Sequence, residues 1–250
     1  MIPLDTIICG DCLEEMGKLP DKSIDMILCD LPYGTTACKW DHVIPFEPLW
    51  KEYKRLIKDH GAIVLTASQP FTSFLITSNI EMFKYCWIWE KPQGVDPFQT
   101  KHRPLNNYED VCIFGNGTLD YYPQKTRGSA YKVTRDKRPR VNEITDTCMK
   151  RTTTKNKGDH VPTRIIKFKQ ERGAHPTQKP VALFEYLIKT YTNEGDLVLD
   201  NCIGSGTTAV AAKRTGRHFI GIELSEEYCE IARKRVASVP ARLDRWEGMA

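Results

Sequence analysis

Leu197-Val198-Leu199-Asp200-Asn201-Cys202-Ile203-Gly204-Ser205-Gly206-Thr207-Thr208-Ala209 decides the fold. An apolar run of strand length ends on an acid, a glycine turn follows, and a helical pattern starts at Thr207. Gly204 and Gly206 let the backbone pass close to a ligand with no Cβ in the way. The free N–H groups at the following helix start would face that ligand. Glu223 ends the next apolar run, His218–Glu223, where a carboxylate can accept two hydrogen bonds from a ribose diol.

Working outward, further strand-like runs are Thr6–Cys9, Ile24–Cys29, Ala62–Thr66, Tyr85–Glu90 and Val111–Phe114. Helical patterns lie between several of them: Cys12–Lys18, Phe46–Lys58, Pro70–Ser78, Val181–Thr192, Thr207–Thr215 and Glu226–Ala237. Alternating strands and helices predict an α/β fold, a doubly wound and mostly parallel sheet. Pro180 suits the first position of the helix after Lys179, because its φ is fixed. The alternation stops between about Asn116 and Arg172, and a structureless loop of that length is improbable inside a compact domain. The expected organisation is therefore a main domain of residues 1–115 and 173–240, an inserted basic region at 116–172, and a tail at 241–250.

The glycine turn admits more than one ligand. Gly204-Ser205-Gly206-Thr207-Thr208-Ala209 fits the dinucleotide fingerprint G-x-G-x-x-A, with Glu223 near the expected downstream distance. Asp200 sits just before the turn, where a carboxylate repels a pyrophosphate and suits a cation. S-adenosylmethionine carries a sulfonium and an ammonium and no phosphate, so it is favoured. A phosphate-binding loop is disfavoured because G-x-x-x-x-G-K-[ST] is missing. The plain alternative, a tight strand–helix turn without a ligand, loses weight once Asp200 and Glu223 are counted together.

Asp30-Leu31-Pro32-Tyr33 follows the apolar run Ile24-Asp25-Met26-Ile27-Leu28-Cys29. It would place a carboxylate, a proline and a ring at a strand's carboxyl end, where open α/β sheets bind ligands. An acceptor beside a ring can hold a planar, amine-bearing base. Taken singly, Asp30 reads as a strand-end cap and Tyr33 as a half-buried core ring.

Size and composition bound the rest. The chain has 250 residues, of which 40% are apolar, enough for one large α/β domain or a domain with an insertion. It holds no run of ~18 apolar residues and no signal-peptide pattern at its start, so a cytoplasmic protein without a membrane span is expected. Nine cysteines, an odd count, argue against a disulfide framework in that setting. Cys9-Gly10-Asp11-Cys12 has C-x-x-C spacing but neither a second such pair nor a histidine pair, and no metal is expected. Net charge is +4, and residues 121–172 carry 15 Lys and Arg against 5 Asp and Glu. A basic segment on a mildly acidic body is the pattern of a nucleic-acid contact region, although a solvated loop has it too. Tyr121, Tyr122 and Tyr131 are interleaved there with Lys125, Arg127, Lys132, Arg135, Lys137, Arg138 and Arg140.

These motifs together resemble the amino-methyltransferases of DNA, in the permuted subgroup called the β class. Asp30-Leu31-Pro32-Tyr33 matches that family's D-P-P-Y of adenine-N6 enzymes, with Leu31 departing; cytosine-N4 enzymes usually carry S-P-P-Y. Gly10-Asp11 with Leu19 matches an upstream pattern, and His175-Pro176-Thr177-Gln178-Lys179-Pro180 matches H-P-x-x-K-P. Asp200, Gly204, Ser205, Gly206 and Thr207 match D-P-F-x-G-S-G-T, with Asn201-Cys202 replacing Pro-Phe. The resemblance covers about residues 5–115 and 174–237.

The resemblance implies methyl transfer from S-adenosylmethionine to the exocyclic amine of a base in double-stranded DNA. The base would be extruded from the helix, and transfer would be direct and in-line. Asp30 and the Leu31 carbonyl would accept from the amine, with Pro32 between them and Tyr33, which would stack on the base. Asp11, Cys12, Lys179, Asp200, Gly204, Ser205, Gly206, Thr207 and Glu223 would line the cofactor. Lys125, Arg127, Arg135, Lys137, Arg138 and Arg140 would contact DNA, with the insertion selecting the sequence. Asp30 rather than Ser favours adenine N6 over cytosine N4. A catalytically silent nucleic-acid-binding domain and an RNA or protein methylase stay open. A cysteine-based cytosine-C5 mechanism is disfavoured because no Pro-Cys dipeptide occurs. The expected setting is a bacterial or phage-encoded enzyme, with a homodimer compatible.

Overall fold

The computed structural model describes residues 3–34, 42–95, 100–135, 152–171 and 178–240. Two units form, Met1–Tyr122 with Arg164–Ala250, and Pro123–Thr163. In chain order the first unit begins β1 (Thr6–Cys9), α1 (Cys12–Gly17), β2 (Ile24–Cys29), α2 (Phe46–Leu56), β3 (Ile57–Ala67), α3 (Phe71–Ser78), β4 (Phe83–Val95) and β5 (Asn106–Phe114). The second unit holds β6 (Thr126–Arg127), β7 (Tyr131–Arg135), β8 (Thr152–Asn156) and β9 (Asp159–His160). The first unit resumes with β10 (Ile165–Lys167), α4 (Val181–Tyr191), β11 (Leu197–Asp200), α5 (Thr207–Arg214), β12 (His218–Glu223) and α6 (Glu226–Ala237).

The first unit is built on an eight-stranded sheet of order β1-β12-β11-β2-β3-β5-β4-β10. Neighbours from β1 through β3 are parallel, β5 runs antiparallel to both β3 and β4, and β10 is parallel to β4. The central strands are apolar on both faces because both are covered. Met26 and Leu28 of β2 pack with Leu187, Val210 and Ala232 of α4, α5 and α6. Ile27 and Cys29 face the other way, with Met16, Leu49, Tyr53 and Phe71 from the α1–α3 side. The α/β expectation of a mostly parallel, doubly wound sheet holds.

From β11 the chain passes through α5 to β12, and from β2 through α2 to β3, in opposite directions along the sheet. Strand order therefore reverses between β11 and β2, which opens a crevice at their carboxyl ends.

The basic insertion is shorter than expected. Asp120 N donates to His60 O at 3.0 Å and Tyr122 N to Thr190 O at 2.7 Å, so residues 116–122 pack with the first unit. Ile165–Lys167 pairs with Ile88–Glu90 of β4. The boundaries thus fall at Pro123 and Thr163 rather than at 116 and 172. Pro180 is the cap of α4, with ψ 130°, and Val181 opens the helix. Strands β4 and β5 outrun their apolar runs, since their pairing continues through polar residues such as Glu90 and Tyr108, while β3 starts earlier, at Ile57, with a register shift before Ala62. The expected tail, 241–250, lies outside the described residues.

The second unit contains two antiparallel pairs, β6 with β9 and β7 with β8. In the β7–β8 ribbon Lys132 stands directly opposite Lys155, and Thr134 opposite Thr153.

Candidate functional site

Register brings the chemistry-bearing residues to one edge. Cys9 pairs with Glu223, Asp200 with Gly221, Leu199 with Ile27 and Cys29 with Leu65. Asp11, Glu223, Asp200, Asp30 and Thr66 therefore sit at or just past the carboxyl ends of β1, β12, β11, β2 and β3, in that order across the sheet.

The glycine turn is held from three sides. Asp200 Oδ1 accepts from Cys202 N at 3.0 Å and Oδ2 from the Thr208 hydroxyl. Burial pushes the Asp200 carboxyl up to about 7, although these hydrogen bonds oppose the shift. Glu223 Oε2 accepts from Gly204 N at 2.9 Å, and Oε1 from Ser225 N at 3.0 Å. Arg235 of α6 donates to Ser205 O at 2.6 Å and to its Oγ at 2.7 Å, while Thr207 is buried at the helix start. Gly206 caps α5 at φ 88°, and a Cβ there would lie 2.9 Å from Ala232 Cβ. Gly204, at φ 51°, has open space where its Cβ would be. One glycine thus serves helix packing, and the other leaves the turn open for a ligand.

Asp11 caps α1, accepting from Leu13 N at 2.9 Å and Glu14 N at 3.2 Å. Cys12 follows it, and the neighbouring Cys202 thiol together with burial pushes its thiol pKa up. Cys9 donates to Glu226 Oε2 at 3.4 Å instead, so the two thiols of the C-x-x-C segment have different partners. Where Asn201-Cys202 replaces Pro-Phe, Asn201 is buried and its Oδ1 accepts from Tyr53 at 2.5 Å.

Asp30 is the most heavily bonded side chain of the crevice. Its Oδ1 accepts from the Tyr33 hydroxyl at 2.8 Å and from the Thr66 hydroxyl. Its Oδ2 accepts from Lys179 Nζ at 2.7 Å. The carboxylate keeps 27% of its side-chain surface exposed, so it is reachable. The Tyr33 ring stacks on Phe71 with centroids 5.0 Å apart and planes at 24°. Leu31 is buried in the core on the α1–α3 side, while Pro32 is half-buried.

Lys179, expected among the cofactor-lining residues, has its ammonium between two carboxylates, 2.7 Å from Asp30 Oδ2 and 3.3 Å from Glu109 Oε2. Burial pulls its pKa down, and the two carboxylates more than offset this, leaving it above the ordinary lysine value. Glu109 also pairs with the buried Lys91 at 2.5 Å.

Thr66, Phe71, Lys91, Glu109, Tyr53 and Arg235 are not among the site residues expected from the sequence. Thr66 alone was findable, because it ends the strand run next to the one that carries Asp30. Among the expected DNA-contacting residues, Lys125 and Arg127 are exposed in the second unit. Arg135 ends β7 opposite Thr152, while Lys137, Arg138 and Arg140 lie outside the described residues, as do His175, Pro176 and Thr177. Tyr121 and Tyr122 belong to the first unit, where Asn193 Nδ2 donates to the Tyr122 hydroxyl at 2.6 Å.

The arrangement offers an oriented carboxylate and a backed aromatic ring on one strand end. The neighbouring end carries a ligand-open glycine turn with two acids. That suits a planar amine beside a nucleoside cofactor. A family model described as DNA methylase matches residues 24–234. The Type II methyltransferase M.HpaI of Haemophilus parainfluenzae is 29% identical over 246 residues, covering 93% of this chain and 74% of that protein. M.HinfI of Haemophilus influenzae is 29% identical over 271 residues, covering 94% and 69%. The solved M1.HpyAVI–SAM complex superposes with TM-score 0.63 at 25% identity, covering 92% of this chain and 98% of that one. The PvuII DNA methyltransferase, cytosine-N4-specific, shares the fold with TM-score 0.65 at 17% identity, covering 92% and 85%.

Proposed function

The chain belongs to the DNA methylase family, and from its site we propose that it methylates the N6 amine of adenine in DNA. It is an S-adenosylmethionine-dependent DNA methyltransferase; the choice of adenine is the proposal. The observation that carries it is Asp30, a reachable carboxylate oriented by two hydroxyls and an ammonium.

S-adenosylmethionine supplies a methyl group made electrophilic by its sulfonium. The Gly204–Gly206 turn, Asp200 and Glu223 would hold it, with Asp11 and Cys12 at the adjoining strand end. Asp30 Oδ2 and the Leu31 carbonyl would accept from the two amine hydrogens and turn the nitrogen lone pair out of conjugation. As the bond from nitrogen to the methyl carbon forms, the sulfonium–methyl bond breaks, the thioether leaves, and the amine gives up one proton to solvent. Tyr33, backed by Phe71, supports the base after extrusion from the duplex. No enzyme nucleophile is used, so positioning provides much of the acceleration. The basic second unit, with Lys125 and Arg127 exposed, selects the target sequence. The bacterial relatives suit a cytoplasmic modification enzyme.

The test is transfer of labelled methyl to unmethylated DNA by the wild type and by Asp30→Ala, followed by sequencing of the modified DNA. Adenine-N6 product that vanishes in Asp30→Ala is expected. Methylcytosine as the product would overturn the adenine reading, and equal transfer by Asp30→Ala would overturn the site.

A further inference from the structure

Four buried or half-buried charges alternate in sign through the crevice: Asp30, Lys179, Glu109 and Lys91. The contacts are 2.7, 3.3 and 2.5 Å in that order. Lys179 and Lys91 keep 8% and 7% of their side-chain surface, and Glu109 keeps 12%. Buried ion pairs are weak evidence of stability, so a role in the site's chemistry is the one to look for.

The middle contact is the informative one. Glu109 Oε2 is fully buried and makes no hydrogen bond within the described residues. The Lys179 ammonium lies 3.3 Å away but is aimed at Asp30. A buried carboxylate oxygen whose nearest donor points elsewhere gains from any shift that brings that donor into line. Lys91 holds the other oxygen, Oε1, and Lys91 is itself set over the Trp89 ring at 5.2 Å. Glu109 Oε2 is therefore fixed with an ion-pair contact but no aligned hydrogen bond, beside the ammonium that holds Asp30 Oδ2.

Lone-pair arithmetic shows why that matters. A carboxylate has about four acceptor sites, two on each oxygen. On Asp30 the Thr66 and Tyr33 hydroxyls take up Oδ1, the Tyr33 proton being shared with Thr66 Oγ1 at 3.1 Å. Lys179 takes one site on Oδ2, so an incoming base amine enters beside Lys179 and competes with it for that oxygen. We infer that Lys179 is a movable counter-ion which yields from Asp30 Oδ2 to Glu109 Oε2 when the base amine arrives. Glu109 is the acceptor built to receive it. The move shortens one contact from 3.3 Å to about 2.8 Å, within reach of side-chain rotation. Lys179 and Glu109 are then positioning residues that act through Asp30. The hand-over exposes Oδ2 and restores its acceptor strength only when substrate is present. This rests on the DNA-methylation reading of the same site.

The test compares the wild type, Glu109→Gln, Lys179→Met and Lys179→Arg in methyl transfer to unmethylated DNA. It measures kcat against pH and, separately, the Kd for S-adenosylmethionine. In Glu109→Gln the lysine keeps Asp30 as its single anionic partner, so kcat falls by about tenfold or more, the scale of one charged hydrogen bond. The groups facing Lys179 are Asp30, Glu109 and the Tyr33 ring, with Lys91 beyond Glu109 and Asp200 beyond Asp30. Removing the Glu109 charge lowers the Lys179 pKa, so the change of kcat that accompanies Lys179 deprotonation moves to lower pH. Lys179→Arg, whose fork spans both carboxylates, stays folded and binds cofactor but loses kcat. Cofactor affinity within about twofold of wild type in all three variants shows that they fold and that Lys179 is not a cofactor ligand. Wild-type kcat and pH profile in Glu109→Gln overturn the hand-over, as does wild-type kcat in Lys179→Arg. Loss of cofactor affinity in Lys179→Met with kcat intact at saturation returns Lys179 to the cofactor. A wild type that transfers no methyl to DNA would sink the underlying reading instead.

Discussion

The Tyr33 hydroxyl stands 2.8 Å from Asp30 Oδ1, so the ring proposed to support a base also aims the carboxylate three residues before it. Tyr33→Phe keeps the stack on Phe71 and removes this one donor. Its kcat is expected to fall roughly 10-fold, the scale of a hydrogen bond to a charged group, with DNA affinity unchanged. Tyr33→Ala is expected to lose DNA-dependent base capture as well. Steady-state kinetics beside a DNA-binding titration separates the two, and a Tyr33→Phe enzyme with full kcat would remove the aiming role.

The two turn glycines fail differently. At Gly206 a Cβ meets Ala232 at 2.9 Å, so Gly206→Ala forces α5 and α6 apart and is expected to lower thermal stability markedly. At Gly204 the space is open, and Gly204→Ala costs only the left-handed backbone, about 1–2 kcal/mol. That variant should fold and still bind S-adenosylmethionine poorly, because its methyl enters the ligand's side of the turn. Calorimetric melting and cofactor titration check both, and normal cofactor binding by Gly204→Ala would refute the assignment.

Asp200 gives the fold a pH dependence. Its carboxyl is raised from 3.8 to about 7 by burial, so the native state holds a proton that the unfolded chain has already released. The stability it contributes is full below pH 3.8 and is lost as pH rises through about 7. Between about pH 5 and 7.5 the loss is on the order of a few kcal/mol by the usual conversion. Denaturant unfolding at both pH values should show that difference in wild type and its disappearance in Asp200→Asn. A cation beside ionised Asp200 opposes the loss, so stabilisation by S-adenosylmethionine should grow over the same range.

Lys132 and Lys155 face each other across the β7–β8 ribbon, an arrangement that repels unless an anion lies between or above them. A two-stranded ribbon fits the DNA major groove. Lys132→Ala with Lys155→Ala should flatten the slope of log affinity against log salt by about 2, one unit for each phosphate no longer neutralised. Fluorescence anisotropy between 50 and 200 mM salt is the measurement, values chosen from the range where that dependence is steep. An unchanged slope would exclude the ribbon from phosphate binding.

Leu31 shows where a motif and a structure differ in what they reveal. As a departure from D-P-P-Y it is only an irregularity. In the fold its side chain is 4% exposed and fills the core beneath the tetrapeptide. A proline there would leave a void, so Leu31→Pro is expected to cost stability without raising kcat.

The chain's sequence by itself determined the strand–helix alternation, the parallel sheet and the two motif-bearing strand ends. Those features are local: apolar runs, glycines and caps act over a few residues, and their periods survive in any context. Asp30, Asp200 and Glu223 were legible because each ends such a run. Only the tertiary structure decided that Lys179 belongs to Asp30, 149 residues away, and that Glu109 waits beside it. The boundaries of the insertion were also decided there, by β10 pairing with β4. Polar contacts between distant segments leave no periodic trace in the chain, because they depend on strand order and register, which are set when the sheet assembles.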